Sequence, residues 1–118
     1  MNSILLIDDN PIDLELMTNT LIASGYRVIA FTNSSEAVRD IPAIQPDLVV
    51  TDVLMPDQDG FETLMSIQSK YVGLPIVMVT SAPEYLHMAK QFNVDGVWAK
   101  SSNYAGLSEE VARVLRER

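Results

Sequence analysis

Along the chain, short apolar runs alternate with longer stretches in which apolar residues recur every three or four positions. The runs are Ile4 to Ile7, Val28 to Phe31, Leu48 to Val50, Ile76 to Val79 and Val97 to Ala99. Each has strand length and is nearly continuous, the pattern of a strand covered on both faces in a parallel sheet. Between the runs, helical spacing is carried by Leu14, Met17 and Leu21, by Phe61, Leu64 and Ile67, by Leu86 and Ala89, and by Leu107, Val111, Val114 and Leu115. The first helix has a marked start, with Asn10 as N-cap, Pro11 at the first helical position and Asp13 in the first turn, where its charge meets the helix dipole favourably. Ser24 and Gly25 mark its end. A second helix follows Asn33 and Ser34 and is predicted to be short, because Pro42 and Pro46 bracket the next connection. Five β/α repeats joined by right-handed crossovers predict an α/β, three-layer doubly wound domain, with residues 1–118 forming one unit.

Composition narrows the chemistry. At 118 residues the chain can bury a core unaided, and 47% hydrophobic with 20% charged residues excludes a disordered polypeptide. With no cysteine, there is no disulfide framework, thiolate metal site or cysteine nucleophile. The one histidine, His87, sits among helix-like residues away from any candidate nucleophile, which excludes a histidine-rich zinc site and a Ser-His-Asp triad. A formal net charge of -8 argues against direct nucleic-acid binding and favours a cationic partner or a metal. The opening MNSILLIDDN reads as a strand and not a signal peptide, and no apolar stretch is long enough to span a bilayer, so the expected location is cytoplasmic.

In an open parallel sheet, ligands bind beyond the carboxyl ends of the strands. Here the first run ends in Asp8-Asp9, the third in Asp52, the fourth in Thr80-Ser81 and the fifth in Lys100. Two unit charges about 4 Å apart repel by roughly 1 kcal/mol in water and about 4 kcal/mol at an effective dielectric near 20, so converging carboxylates need a divalent cation or a proton. Magnesium, which prefers a few carboxylates plus water and phosphate oxygens, suits such a partial cage. One Asp after a strand is commonly a helix cap or turn residue. The conjunction of an acidic pair, a further strand-end acid and a terminal lysine is what points to a site. Asp57 and Asp59 are rival acids, but they fall in the polar turn beyond Met55-Pro56, with Asp59-Gly60 read as the start of the next helix.

These segments resemble response-regulator receiver domains of two-component signalling over essentially the whole chain. LLIDDNP is similar to the family's opening strand with its acidic pair, PDLVVTDVLMPDQDG to its phosphoacceptor segment, PIVMVTSA to its fourth strand and, less completely, GVWAK to its fifth. The resemblance implies a flavodoxin-like (βα)5 fold with strand order 2-1-3-4-5. It makes Asp52 the phosphoacceptor and Mg2+ the cofactor, with Asp9 and Asp52 as direct ligands, Asp8 acting through water and Leu54 giving its backbone carbonyl. Thr80 would bond a phosphoryl oxygen, and Lys100 would pair first with Asp52 and then with the phosphoryl group. A histidine kinase or phosphotransfer protein would be the donor and an output protein or domain the receiver of the signal, without turnover of an external substrate. Homodimerisation through the fourth and fifth elements is a further implication. The residue types fit independently, since a carboxylate can attack phosphorus while a metal, a lysine and a hydroxyl absorb the charge.

The sequence departs from the family at two places. Lys100 is followed by Ser101 where the family has a cis proline; a non-proline cis bond costs roughly 2.5 to 4 kcal/mol, so a trans peptide is predicted, or else a strained cis one compensated by its surroundings. Val97 stands where the family has a Tyr or Phe that moves on phosphorylation, and the adjacent Trp98, facing the other side of the strand, is predicted to pack on a helix or join a partner surface. Two other readings stand beside the switch. One is a degenerate receiver acting as a phosphorylation-independent interaction module. The other is a haloacid-dehalogenase-like phosphatase, weakened by the adjacent Asp8-Asp9 in place of Asp-x-Asp and by the lack of room for a cap domain. A nucleotide-binding module is disfavoured because no Gly-rich loop follows the first strand.

Overall fold

The computed structural model describes residues 1–55 and 58–118, and at Gln58, Asp59 and Lys90 it describes the backbone alone. Five strands, β1 (Ser3–Ile7), β2 (Arg27–Phe31), β3 (Leu48–Asp52), β4 (Ile76–Thr80) and β5 (Gly96–Ala99), form one parallel sheet in the order β2-β1-β3-β4-β5. This is the flavodoxin-like arrangement that the sequence predicts. β3 and β4 are buried at every residue, as their unbroken apolar runs require, while β2 at one border is only partly covered.

The helices are α1 (Pro11–Ala23), α2 (Ser34–Ile44), α3 (Gly60–Lys70), α4 (Met88–Gln91) and α5 (Ala105–Glu117). Because strand side chains alternate, Ile4 and Leu6 pack with Met17 and Leu21 of α1 and Leu107, Val111 and Val114 of α5. Leu5 and Ile7 meet Ala37 and Ile41 of α2 and Leu64 and Ile67 of α3 on the opposite side. Each strand thus feeds two cores, giving three layers.

Local chemistry explains the boundaries. Asn10 Oδ1 accepts from the N–H groups of Ile12 (3.0 Å) and Asp13 (3.1 Å), which fixes where α1 starts, directly after the acidic pair. Against expectation, Pro42 does not shorten α2; it lies in the final turn, and the helix ends at Gln45 in the left-handed conformation (φ 51°). Pro42 lacks the N–H that would serve the Val38 carbonyl, and the Tyr71 hydroxyl donates to that carbonyl instead (3.4 Å). The fourth helix is also less than the spacing of Leu86 and Ala89 suggests. It is split into a 3-10 turn at Pro83–Tyr85 and the single turn of α4.

Two features tie helices to the ends of the sheet, one at the carboxyl end of β3 and one at the start of β5. Beyond β3 the chain folds so that a Cβ at Gly60 would lie 2.5 Å from both Cα and the carbonyl oxygen of Val53, so only glycine lets α3 begin this close. At β5, Glu110 Oε2 of α5 accepts from the Val97 N–H (2.9 Å), and Arg113, paired with Glu110 (2.7 Å), donates to the Asp95 carbonyl (3.0 Å). Among the described residues no helix is long and apolar enough to cross a membrane.

Candidate functional site

The carboxyl ends of the five parallel strands share one edge of the sheet; those of β1 and β3 are adjacent, and the Lys100 side chain reaches them from the end of β5, one strand beyond β4, so Asp8, Asp52 and Lys100 meet although they are far apart in sequence. Lys100 Nζ bonds Asp8 Oδ2 (2.5 Å), Asp52 Oδ2 (2.6 Å) and Asp13 Oδ2 (2.9 Å). Asp8 and Asp52 are buried, at 0% and 3% exposed, and the lysine side chain is 9% exposed. The remaining oxygens are held by the backbone: Asp8 Oδ1 accepts from Asn10 N–H (2.9 Å) and Asp52 Oδ1 from Leu54 N–H (2.8 Å). The residue that pulls Leu54 close to the acid is therefore Asp52 itself.

Burial shifts the titration of Asp8. Desolvation is the largest influence on Asp8 and, reinforced by the charge of Asp52, raises its carboxyl from 3.8 to about 6 in spite of the bond to Lys100. The three carboxylates overcome desolvation at Lys100 and raise its pKa, so the ammonium stays charged. A raised acid favours the folded state below its ordinary pKa, and that contribution disappears as pH climbs through the raised value. Metal-free protein is therefore expected to lose stability between pH 3.8 and about 6, by at most about 3 kcal/mol. Urea unfolding across that range measures this, and a stability that rises over the window in the absence of metal would contradict it.

The lysine has one partner that the sequence does not predict. The acid that joins Asp8 and Asp52 on the lysine is Asp13, while Asp9, half-buried beside Asp8, makes no bond to Lys100. Among the described residues, no three carboxylate or imidazole groups are gathered so as to hold a metal in this arrangement, the ammonium being the cation the acids share. The donor chemistry nevertheless fits magnesium. Two buried carboxylates already converge on one positive centre, Asp9 follows directly in the chain, the Leu54 carbonyl lies just beyond Asp52, and all these donors are hard oxygens.

Thr80, buried at the end of β4, turns its hydroxyl to its own loop, accepting from Ala82 N–H (3.0 Å). Lys100 N–H donates to the Thr80 carbonyl (2.8 Å), which ties the lysine's backbone to the threonine's. No cis peptide occurs among the described residues, so Lys100–Ser101 is trans as Ser101 predicts. Val97 packs with Val53, Met78, Ala89 and Phe61 in an apolar cluster, so the position where the family has a ring carries an aliphatic side chain. Trp98 faces the other core, with its ring 5.3 Å from that of Tyr104 and its Nε1 3.0 Å from where a Cβ on Gly106 would stand, so it is a helix-packing residue. Asp57 lies outside the described residues, as does Pro56, and Asp59 pairs through its backbone with Leu54.

Two site neighbours escaped the sequence reading. Asp13 was legible only as a first-turn acid, yet side chains in a helix tilt toward its N-terminus, so such an acid on α1 leans back over the strand ends. Tyr104, in the loop after β5, has its phenol pKa raised by burial, with Asp13 and Asp8 adding and Lys100 opposing, which places it beside the same charges.

Comparison with known proteins agrees with this fold. The family model for the response regulator receiver domain matches residues 4–112. Among solved structures, response regulator TrrA from Thermotoga maritima, in complex with Mg2+ and BeF, has a TM-score of 0.89 at 30% identity and covers 97% of this chain and 99% of that one. Chemotaxis response regulator CheY4 of Vibrio cholerae has a TM-score of 0.84 at 29% identity, covering 97% and 98%. The alkaline phosphatase synthesis transcriptional regulatory protein PhoP of Bacillus subtilis is 29% identical over 115 residues, 96% of this chain and 48% of its own length. The chain spans less than half of the curated relatives it matches first.

Proposed function

Because the chain belongs to the response regulator receiver domain family, we propose that it is a phosphorylation switch in which Asp52 accepts a phosphoryl group from a histidine kinase or phosphotransfer protein. The observation that carries this reading is the convergence of Asp8 and Asp52, both buried, on the ammonium of Lys100. A buried nucleophilic carboxylate paired with a lysine is suited to covalent attack on phosphorus, because the lysine can follow the charge onto the phosphoryl oxygens. Asp8, Asp9, Asp52 and the Leu54 carbonyl would hold Mg2+. The ion, when bound, supplies charge neutralisation for the transferred oxygens. The solved Mg2+ and BeF complex of TrrA, similar over almost its whole length, supports this assignment.

This chain's own residues then divide the work. Leu54 N–H orients Asp52 through Oδ1, and Asn10 N–H orients Asp8. Lys100 supplies the mobile positive charge, and Thr80 would have to exchange its turn bond with Ala82 for one to phosphate. Ile12 and Leu16, exposed at 69% and 44% and one turn apart on α1 beside the pocket, offer an apolar surface for a protein donor. The turnover of an external substrate is not part of this reading, and the output partner would sit elsewhere.

A second reading, a receiver that signals without phosphorylation, is favoured by one observation. Val97 packs in an apolar cluster at the position where the family has a ring, so a coupling device that depends on that ring is missing here. The deciding experiment is incubation with acetyl phosphate and magnesium, followed by intact mass and fragmentation. Phosphate is expected on Asp52 and only when magnesium is present. Protein that stays unmodified would leave the interaction-module reading in possession.

A further inference from the structure

Lys100 has three ammonium hydrogens, and three carboxylates take them. The three acids are not equivalent. Asp8 and Asp52 finish β1 and β3 and are buried, whereas Asp13 stands on α1 with its side chain 30% exposed, at the outer side of the lysine. Under the function proposed above, on which this inference rests, both buried acids change partners during the reaction. Asp52 becomes an acyl phosphate and a poor acceptor, and Asp8 is wanted by the magnesium. Asp13 is called on by neither the phosphoryl group nor the metal.

We propose that Asp13 is a positioning residue for phosphotransfer, holding the Lys100 ammonium at the mouth of the pocket while its bond to Asp52 is exchanged for one to the phosphoryl group. In the step itself an Asp52 oxygen forms the new bond to phosphorus. The bond from phosphorus to the donor breaks, and its electron pair leaves with the donor, as acetate when acetyl phosphate is used. Lys100 keeps all three protons throughout and moves one hydrogen bond from Asp52 to a phosphoryl oxygen. Without a fixed outer acceptor, a four-carbon lysine stem has many rotamers in which the ammonium lies away from that oxygen, and reaching the reactive one slows the transfer.

The alternative is that Asp13 serves only the dipole of α1, as first-turn acids commonly do. The two roles separate by substitution. Asp13→Asn removes the charge that the dipole favours but keeps an oxygen that can accept from Lys100, and Asp13→Ala removes both. Positioning therefore predicts that Asp13→Ala takes up phosphate from acetyl phosphate about tenfold more slowly and that Asp13→Asn recovers to within about threefold of the wild type. A second readout needs no phosphate. The chain has three lysines, Lys70, Lys90 and Lys100, and in 15N-labelled, metal-free protein the ammonium signal absent from Lys100→Arg identifies Lys100. That signal is expected to show restricted rotation in the wild type and in Asp13→Asn, and to broaden or exchange away in Asp13→Ala.

Wild-type rates in Asp13→Ala, an Asp13→Asn protein as slow as Asp13→Ala, or an ammonium signal indifferent to both changes would each overturn the proposal. A wild-type chain that takes up no phosphate would fault Asp52 as acceptor instead. In that case the ammonium spectra would still decide whether Asp13 restrains the lysine.

Discussion

Asp52→Asn is expected to gain no phosphate from acetyl phosphate and magnesium at any incubation time, while its stability stays within about 1 kcal/mol of the wild type. The reason lies in what the amide keeps and what it loses. Its oxygen can still accept from Leu54 N–H or from Lys100, the two bonds that hold Asp52 in place. It has no anionic oxygen to attack phosphorus. It also removes a negative charge whose neighbourhood helps to raise Asp8, so Lys100 has one fewer buried acid to satisfy. Intact mass and urea unfolding measure the two halves. Phosphate on the variant would move the acceptor to another acid, and a large loss of stability would mean that Asp52 holds the fold as well as the reaction.

Lys100→Ala should behave in the opposite way in the metal-free protein. Truncating one partner of a buried ion pair leaves its counter-charge stranded, a loss of about 3–5 kcal/mol. Here three carboxylates lose their shared cation, two of them buried. The deficit relative to the wild type is expected to be greatest at neutral pH and to shrink as pH falls below about 6, where the raised Asp8 carboxyl takes up a proton and no longer needs the ammonium. Phosphate uptake should slow by about 100-fold, the usual consequence of removing one preorganised group that meets developing charge. Paired urea titrations at neutral and acid pH test the first part. An equal deficit at both would show that the lysine's packing, and not its charge, supports the site.

The five strands were legible because a strand covered on both faces has no polar alternation to blur it, as in Leu48 to Val50 and Ile76 to Val79. The start of α1 was legible from Asn10 and Pro11, whose chemistry is local. What could not be read were features that depend on a distant partner. Pro42 signals the end of a helix, yet it sits in the last turn of α2, where the Tyr71 hydroxyl, arriving from the end of α3, takes up the carbonyl left open by the missing N–H. Leu86 and Ala89 have helical spacing, yet two residues are too few to propagate a helix, and a 3-10 turn precedes the single turn of α4.

Within the site, Asp8, Asp52 and Lys100 followed from strand ends and sheet order. The third acid did not. Asp13 reaches the ammonium from the first turn of α1, a contact that depends on how the helix is set against the strand ends. The Thr80 hydroxyl bond to Ala82 was equally invisible, since a short turn of this kind depends on the backbone path after β4.

The attachment of Glu110 and Arg113 to the start of β5 reaches beyond local order. A strand at the margin of a sheet ordinarily leaves main-chain groups open, a template on which a foreign segment can continue the ladder. In this protein the Val97 N–H and the Asp95 carbonyl are already engaged by α5. An incoming chain would first have to evict a glutamate and an arginine, so recognition on that side falls to side-chain shape and charge.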